Sequence, residues 1–331
     1  MAYQGEIIGE HPSIVETRRL IAKVAKSSAR TILIYGETGS GKGLVARLLH
    51  EKSERADGAF IDVNCAAIPA NLMESELFGF EKGAFTGALS KKTGLVEAAH
   101  GGSIFLDEVR ELEPVLQAKL LTLLDTQEFR RVGAVRSKRV DVRFIAATNR
   151  ILLGEVRAGR FRDDLYYRLQ VVAINVPPLR ERGEDVLVLA DHFMRKFGAR
   201  YGRTIRGMEP AVREVFLTYK WPGNVRELEN LLERIFILEE DQQILVRHIP
   251  PRIMREVDGG EPAQDGDNGA DGAIDAPDAV GTLDFHARTQ AFQRRLIERA
   301  LADHRGRSAV ARALGMSRHA LRHQMKKLGM E

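Results

Sequence analysis

The sequence predicts an α/β fold built on a parallel sheet, followed by an all-helical segment and a separate basic helical end. Three observations carry this. Short apolar runs alternate with longer helical patterns as far as Pro177-Pro178, the pattern of a parallel sheet with crossover helices. Beyond that pair the strand-like runs stop and only helical periodicity remains. Nearer the end, an acidic, glycine-rich stretch from Glu256 to Gly281 separates the body from a basic terminus.

Element by element, Thr31–Tyr35, Ala59–Val63, Ser103–Leu106, Arg143–Ala147 and Val171–Val176 read as strands. Between them Lys42–Lys52, Ala70–Phe78 and Pro114–Asp125 read as helices, and Glu184–Arg200, Pro210–Tyr219 and Gly223–Glu239 follow as a helical subdomain. The stretch 256–281 holds eight acids, six glycines, two prolines and no Lys or Arg. It has too few apolar groups to offset its ordering entropy, so it reads as a linker. The expected division is 1–178 sheet core, 179–255 helical subdomain, 256–281 linker and 282–331 terminal module.

Composition narrows the function classes. The 331 residues are 44% hydrophobic, enough for a sizeable core. No run approaches the ~18 apolar residues of a membrane span, and Met1 to Ile8 lack the apolar run of a secretory signal. Cys65 is the single cysteine, which excludes an intramolecular disulfide or a cysteine zinc cluster. A cytoplasmic protein is expected. The net charge of +4 conceals its distribution: the linker carries −8, residues 282–331 carry +7, and +5 remains for residues 1–255.

The apolar strand Thr31–Tyr35 leads into Gly36-Glu37-Thr38-Gly39-Ser40-Gly41-Lys42 and then a helical pattern. This is the strand–loop–helix setting in which backbone N–H groups cradle phosphates, a lysine reaches the β and γ phosphates, and the helix start adds its dipole. The residue after the lysine is Gly43, where a Ser or Thr ordinarily ligates Mg²⁺. The ion must then rely on phosphate, water and another acid. Asp107-Glu108, at the end of the apolar run Ser103–Leu106, supply it: Asp107 for Mg²⁺ through water, and Glu108 to orient or deprotonate an attacking water.

Between these motifs lies Gly83-Ala84-Phe85-Thr86-Gly87-Ala88, small residues around one aromatic, a poor core segment and a plausible contact loop. As a string, GAFTGA resembles the signature of the AAA+ activators of sigma-54 RNA polymerase, the bacterial enhancer-binding proteins. The resemblance extends over Asn64-Cys65-Ala66-Ala67, Phe105-Leu106-Asp107-Glu108, Ala147-Thr148-Asn149, the run from Phe161 to Leu169, Pro177 to Arg182, and Trp221 to Leu228.

The resemblance implies an AAA+ P-loop NTPase with a parallel-sheet core, a helical lid subdomain and a C-terminal all-α Fis-type helix-turn-helix. It implies ATP and Mg²⁺ as cofactors and a homo-oligomer passing from dimer to ring hexamer, with ATP between subunits. Arg162 and Arg168 match arginines that reach the neighbour's site. Arg226 matches a nucleotide-sensing lid arginine, and Asn149 the polar residue beside the active site. Asn64 matches the residue that pairs with the catalytic glutamate and links chemistry to the loop. Arg131-Val132-Gly133-Ala134 matches a second loop supporting the first, and Gly83 to Ala88 would contact sigma-54, chiefly through Phe85 and Thr86. Gly43 departs from the family, which usually carries Glu there.

At the basic end, Ala291–Arg299, Ser308–Leu314 and Arg318–Leu328 have helical patterns, Gly315 permits a turn, and Ser317 is a good N-cap. This layout, which also resembles the Fis-type module, fits a basic second helix entering the major groove of duplex DNA. Arg318, His319 and Arg322 are the base-edge candidates; Lys326 and Lys327 would meet phosphate. The remaining histidines lack ligand-like spacing.

The expected function is therefore a sigma-54-dependent activator that binds upstream DNA, forms a ring and uses ATP hydrolysis to remodel the sigma-54 polymerase holoenzyme into an open complex. An AAA+ motor of another class would not need GAFTGA. A regulator of housekeeping promoters with a vestigial ATPase would lack the loop or the acid pair, and both are present. Because the family's Ile7-Ile8-Gly9 start falls within ten residues of Met1, control by a separate inhibitory protein in trans is expected, as in the phage-shock activator type.

Overall fold

The computed structural model describes residues 6–149 and 152–257, together with Val310 and Met325. Met1–Ala263 form one compact unit and Gln264–Glu331 a second. In the first, helix α1 (Pro12–Ala25) precedes strand β1 (Thr31–Tyr35), α2 (Lys42–Glu51), β2 (Phe60–Asn64) and α3 (Ala70–Phe78). A small hairpin, β3 (Gly79–Phe80) and β4 (Lys92–Thr93), leads through α4 (Leu95–Ala98) to β5 (Ser103–Asp107) and α5 (Pro114–Thr126). A second hairpin, β6 (Glu128–Phe129) and β7 (Lys138–Arg139), precedes β8 (Arg143–Thr148), α6 (Leu152–Arg157), α7 (Asp163–Leu169) and β9 (Ala173–Asn175).

The sheet runs β2-β5-β8-β1-β9 with every pairing parallel. The central strands β5, β8 and β1 are buried along nearly their whole length because both faces of the sheet are covered. Leu33, Ile104, Leu106, Phe144 and Ala146 face the cluster holding α3, α5 and α7. Their alternates Ile32, Ile34, Phe105, Ile145 and Ala147 face α1 and α2. In such a sheet, ligands bind beyond the carboxyl ends of the strands. Register there sets Asn64 opposite Asp107, and Tyr35 between Thr148 and Asn175.

The rest of the unit is helical: α8 (Asp185–Tyr201), α9 (Pro210–Thr218), α10 (Asn224–Leu238) and α11 (Pro251–Val257). They enclose their own core, with Trp221, Phe197, Phe216 and Phe236 fully buried. This lid is fastened to the chain start, since Asp185 Oδ1 accepts from the N–H groups of Glu10 (2.6 Å) and His11 (3.0 Å).

Three differences from the sequence expectations stand out. Helix α1 was not among the expected elements, although Pro12 opens it and Ile14, Ile21 and Val24 line its buried face. The strand expected over Val171–Val176 is only Ala173–Asn175, because ladder pairing with β1 is confined to Leu33–Tyr35 and Val171 is exposed. Glu256 and Val257, expected to open the linker, instead end helix α11. The rest of that linker and the expected terminal helices lie outside the described residues, apart from Val310 and Met325, which are helical and buried.

Arg143, at the start of β8, is 3% exposed and has no carboxylate partner among the described residues. Its guanidinium instead donates to the carbonyls of Ala25 (2.9 Å) and Val24 (2.6 Å), capping the negative end of α1, and burial pushes its pKa down. Arg143→Ala removes the donor to the Ala25 carbonyl and one of the donors to the Val24 carbonyl, which still accepts from Ser27. The expected loss is about 2–4 kcal/mol of unfolding free energy, read from urea-induced unfolding; a loss below about 0.5 kcal/mol, the range of ordinary surface changes, would contradict this capping role.

Candidate nucleotide site and contact loop

The loop from Gly36 to Lys42 leaves the carboxyl end of β1 and turns into α2. The turn needs left-handed backbone at Gly39 (φ 77°) and Gly41 (φ 108°), the latter capping α2. Lys42 is buried; its Nζ donates to the carbonyls of Gly36 (3.0 Å) and Glu37 (3.4 Å) and lies 3.5 Å from Glu108 Oε1. The expected phosphate loop and acid thus come together across the sheet.

Asp107 ends β5, and its Oδ1 accepts from the Glu108 N–H (3.0 Å). Glu108 sits at φ 51°, an uncommon backbone conformation for a non-glycine residue, which turns its carboxylate to the loop. There it also lies 3.7 Å from Arg110 Nε and accepts from the Asn149 N–H (3.3 Å). Asn64 stands in register with Asp107, but its Oδ1 accepts from the Ala66 N–H (3.0 Å); Glu108 is bonded by the Asn149 N–H, with Lys42 and Arg110 in ion-pair range. Asn149 Nδ2 donates to Thr38 Oγ1 (3.3 Å). Two buried oxygens here, Asn149 Oδ1 and Ser40 Oγ, have no hydrogen-bond partner among the described residues. Unsatisfied buried oxygens beside a glycine loop fit a polar ligand.

The lid reaches the same loop. Arg180 pairs with Glu37 through two bonds (2.6 and 2.8 Å), holding that carboxyl below the usual carboxylate range. Asn224, fully buried at φ 53°, donates to Glu37 Oε2 and the Thr38 carbonyl, both at 3.1 Å. The Arg226 N–H donates to the Gly39 carbonyl (3.3 Å), and a Cβ on Gly39 would fall 2.2 Å from the Gly223 carbonyl oxygen. Arg182 donates to the Ser40 carbonyl (2.8 Å), and burial lowers its pKa to about 10. Sequence patterning assigned no role to Arg180, Arg182 or Asn224. Their strings were visible, but only the long-range contacts reveal what they hold.

Core and lid bound a cleft of about 1410 Å³ that includes Lys42, Asn64, Asp107, Glu108, Asn149 and Arg226. Its flank beside α2 and α8 carries the apolar Ile8, Leu44, Leu48, Val176 and Phe193, interleaved with Glu51, His192 and Lys196. Arg162 and Arg168 lie outside it. Both are exposed, Arg162 pairing with Asp164 (2.7 Å) and Arg168 with Asp125 (2.9 Å).

Gly43 is exposed in the first turn of α2, and a Cβ there would meet only a Phe105 ring carbon at 3.9 Å. The site therefore has room for a side chain. Gly43→Ala is expected to stabilise the protein by up to ~1 kcal/mol, read from the urea midpoint; destabilisation would show that the backbone there needs glycine.

The hexapeptide Gly83 to Ala88 projects from the β3–β4 hairpin. It closes on itself through Gly83 N–H to the Ala88 carbonyl (2.9 Å), with Gly83 at φ 81° and Gly87 at φ 99°. Thr86 is exposed; Phe85 is 46% exposed and rests edge-on against Phe80, ring centroids 4.9 Å apart. The expected supporting loop is in contact: an ideal Cβ on Gly133 would fall 2.8 Å from the Ala84 Cβ. Val132 bonds the Gly79 carbonyl and the Glu81 N–H, and Arg131 pairs with Glu81 and Glu97, both at 2.6 Å.

Elsewhere on the lid, Glu239, Asp241 and His248 form a carboxylate–imidazole cluster. His248 Nδ1 accepts from the Leu245 N–H (3.1 Å), so Nε2 carries the proton that faces Asp241 (2.9 Å). That tautomer offers no lone pair to a metal. The DNA candidates Arg318, His319, Arg322, Lys326 and Lys327 lie outside the described residues.

Comparison with known proteins matches residues 7–175 to the sigma-54 interaction domain, residues 180–265 to an AAA+ ATPase lid domain, and residues 290–328 to the bacterial regulatory protein, Fis family. The nitrogen fixation protein AnfA of Azotobacter vinelandii is 44% identical over 98% of this chain and 57% of its own length. The regulatory protein AtoC of Escherichia coli (strain K12) is 42% identical over 99% and 68%. The chain thus spans only part of these relatives. A crystal structure of NtrX from Brucella abortus in complex with ATP superposes with a TM-score of 0.71 at 34% identity, over 98% of this chain and 70% of that one.

Proposed function

The chain belongs to the sigma-54 activator family, an AAA+ P-loop NTPase fold with a helical lid and a Fis-type helix-turn-helix segment, and from this premise we propose that it hydrolyses ATP to remodel a sigma-54 polymerase complex. The observation that carries the proposal is the presence, in one compact unit, of a P-loop and acid pair at the carboxyl ends of the five-stranded sheet and an exposed GAFTGA loop on the β3–β4 hairpin.

In this reading the base of ATP occupies the flank of the cleft beside α2 and α8, and its phosphates take the N–H groups of the loop from Gly36 to Lys42. Lys42 exchanges its carbonyl partners for phosphate oxygens. Mg²⁺, held by Asp107 through water, would neutralise charge on the β and γ phosphates. The orphaned oxygens of Ser40 and Asn149 suit the polar ligands of such a site. Glu108 orients a water and takes its proton as the water's oxygen bonds to the γ phosphorus and the bond to ADP breaks. Arg162 and Arg168 are free of their own cleft, which suits service to a neighbouring subunit in a ring. Asn64, at the end of β2 and ahead of α3, lies on the chain path from Asp107 to the loop. Movement along that path would drive Phe85 and Thr86 against sigma-54, while the basic terminus holds upstream DNA.

A promoter-opening assay tests the proposal. Open complexes are expected with ATP and polymerase carrying sigma-54, and not with polymerase carrying the housekeeping factor. Equal opening with both, or opening without hydrolysable ATP, would refute it.

A further inference from the structure

Gln117, on the inward face of α5, is completely buried at 0% exposure, and its carboxamide is bonded entirely to main chain. Nε2 donates to the carbonyls of Leu112 (2.7 Å) and Arg160 (3.1 Å). Oε1 accepts from the Arg162 N–H (2.8 Å). These partners belong to two segments that are distant in sequence. Leu112 caps the turn Val109–Glu111 that directly follows Asp107-Glu108. Arg160 and Arg162 flank Phe161 at the start of α7, the helix that carries Arg168.

We propose that Gln117 is a positioning residue that ties the acid loop of one ATP site to the arginine segment serving the next. This rests on the reading that Arg162 and Arg168 act in the neighbour's site. The side chain of Arg162 is exposed and pairs with Asp164, two residues away, so its placement depends on its backbone. That backbone is the N-cap of a seven-residue helix with no side-chain cap of its own. The Gln117 amide supplies the missing restraint and anchors its other end beside Glu108. An apolar side chain of equal size would fill the space but leave the buried Leu112 carbonyl, and the half-buried Arg160 carbonyl and Arg162 N–H, without this partner. Only a group that both donates and accepts can make all three bonds, and glutamine does so without introducing charge. A shift in the acid loop is thereby transmitted to the arginines through a single buried amide.

The test uses the full chain in mixtures. Gln117→Met keeps the length and volume but removes all three bonds; Gln117→Asn keeps the amide and withdraws it by one methylene, a second variant should the first fail to fold. For whichever folds, checked by circular dichroism, kcat for ATP is expected to fall by about a hundredfold, the scale of a 1 Å misplacement, with KM for ATP unchanged. Mixed with Glu108→Gln protein, the variant should regain activity well above the sum of the two alone. Its own P-loop and acids are intact, and the Glu108→Gln neighbour lends well-placed arginines. Arg162→Ala mixed with Glu108→Gln is the control for trans action. If the control mixture recovers and the Gln117 mixture does not, the positioning role is overturned. If neither mixture recovers, the trans-arginine reading itself fails and the role falls with it. A folded Gln117→Met protein with wild-type kcat, or failure of both variants to fold while Arg162→Ala folds, assigns the amide to core stability alone and also overturns the role.

Discussion

Glu108→Gln is expected to bind ATP and to hydrolyse it at least about a hundredfold more slowly than the wild type, the usual loss when a general base is removed. The substitution is isosteric, so it isolates the chemistry. In the wild type, Glu108 lies 3.5 Å from Lys42 and accepts from the Asn149 N–H, a place set by the left-handed turn after β5. A neutral amide can keep the bond to Asn149 but cannot take a proton from water. It also releases Lys42 from its carboxylate, so affinity for ATP is expected to hold or rise. Phosphate release gives the turnover and a fluorescent ATP analogue gives the affinity. Turnover within about threefold of the wild type, well short of that loss, would remove Glu108 from the mechanism.

Truncating the contact loop separates hydrolysis from work. Phe85→Ala and Thr86→Ala are each expected to abolish open-complex formation while ATP hydrolysis continues. Phe85 is poised for this role because it is half exposed yet held against Phe80, so its ring is presented at little conformational cost. Loss of such an aromatic anchor costs about 2 kcal/mol or more in a protein contact, roughly thirtyfold in binding. The loop is closed by the backbone bond between Gly83 and Ala88, which neither substitution touches. Loop collapse is therefore not the expected cause. Normal rates of promoter opening by either variant, measured with wild-type ATPase as reference, would show that sigma-54 is engaged elsewhere.

Much of the sheet and lid was legible in the sequence because those signals are local. Burial on both faces makes β1, β5 and β8 near-continuous apolar runs, and clustered glycines mark the phosphate loop. Helix α1 escaped because polar Thr17 occupies one place on its buried stripe and Arg18-Arg19 follow it. Strand β9 was overextended because apolar Val171, Val172 and Val176 flank the three residues that pair with β1.

The candidate site divides in the same way. Lys42, Asp107 and Glu108 could be picked out one motif at a time, since the chemistry of each depends on a few neighbouring residues at a strand end. Which groups hold them could not. Arg180 on Glu37, Asn224 on Thr38, Arg182 on Ser40 and Gln117 across two segments all join residues more than 40 positions apart, or bridge loops that meet only when the sheet closes. A surface arginine and a core-clamping arginine share one composition and one periodicity; burial and partner distinguish them, and both are properties of the folded chain. Local pattern thus determined the phosphate loop, the acid pair and the contact loop. The fold decided how the lid grips that loop and how one buried amide spans from the acids to the arginines, because hydrogen bonds between distant backbones leave no local trace in sequence.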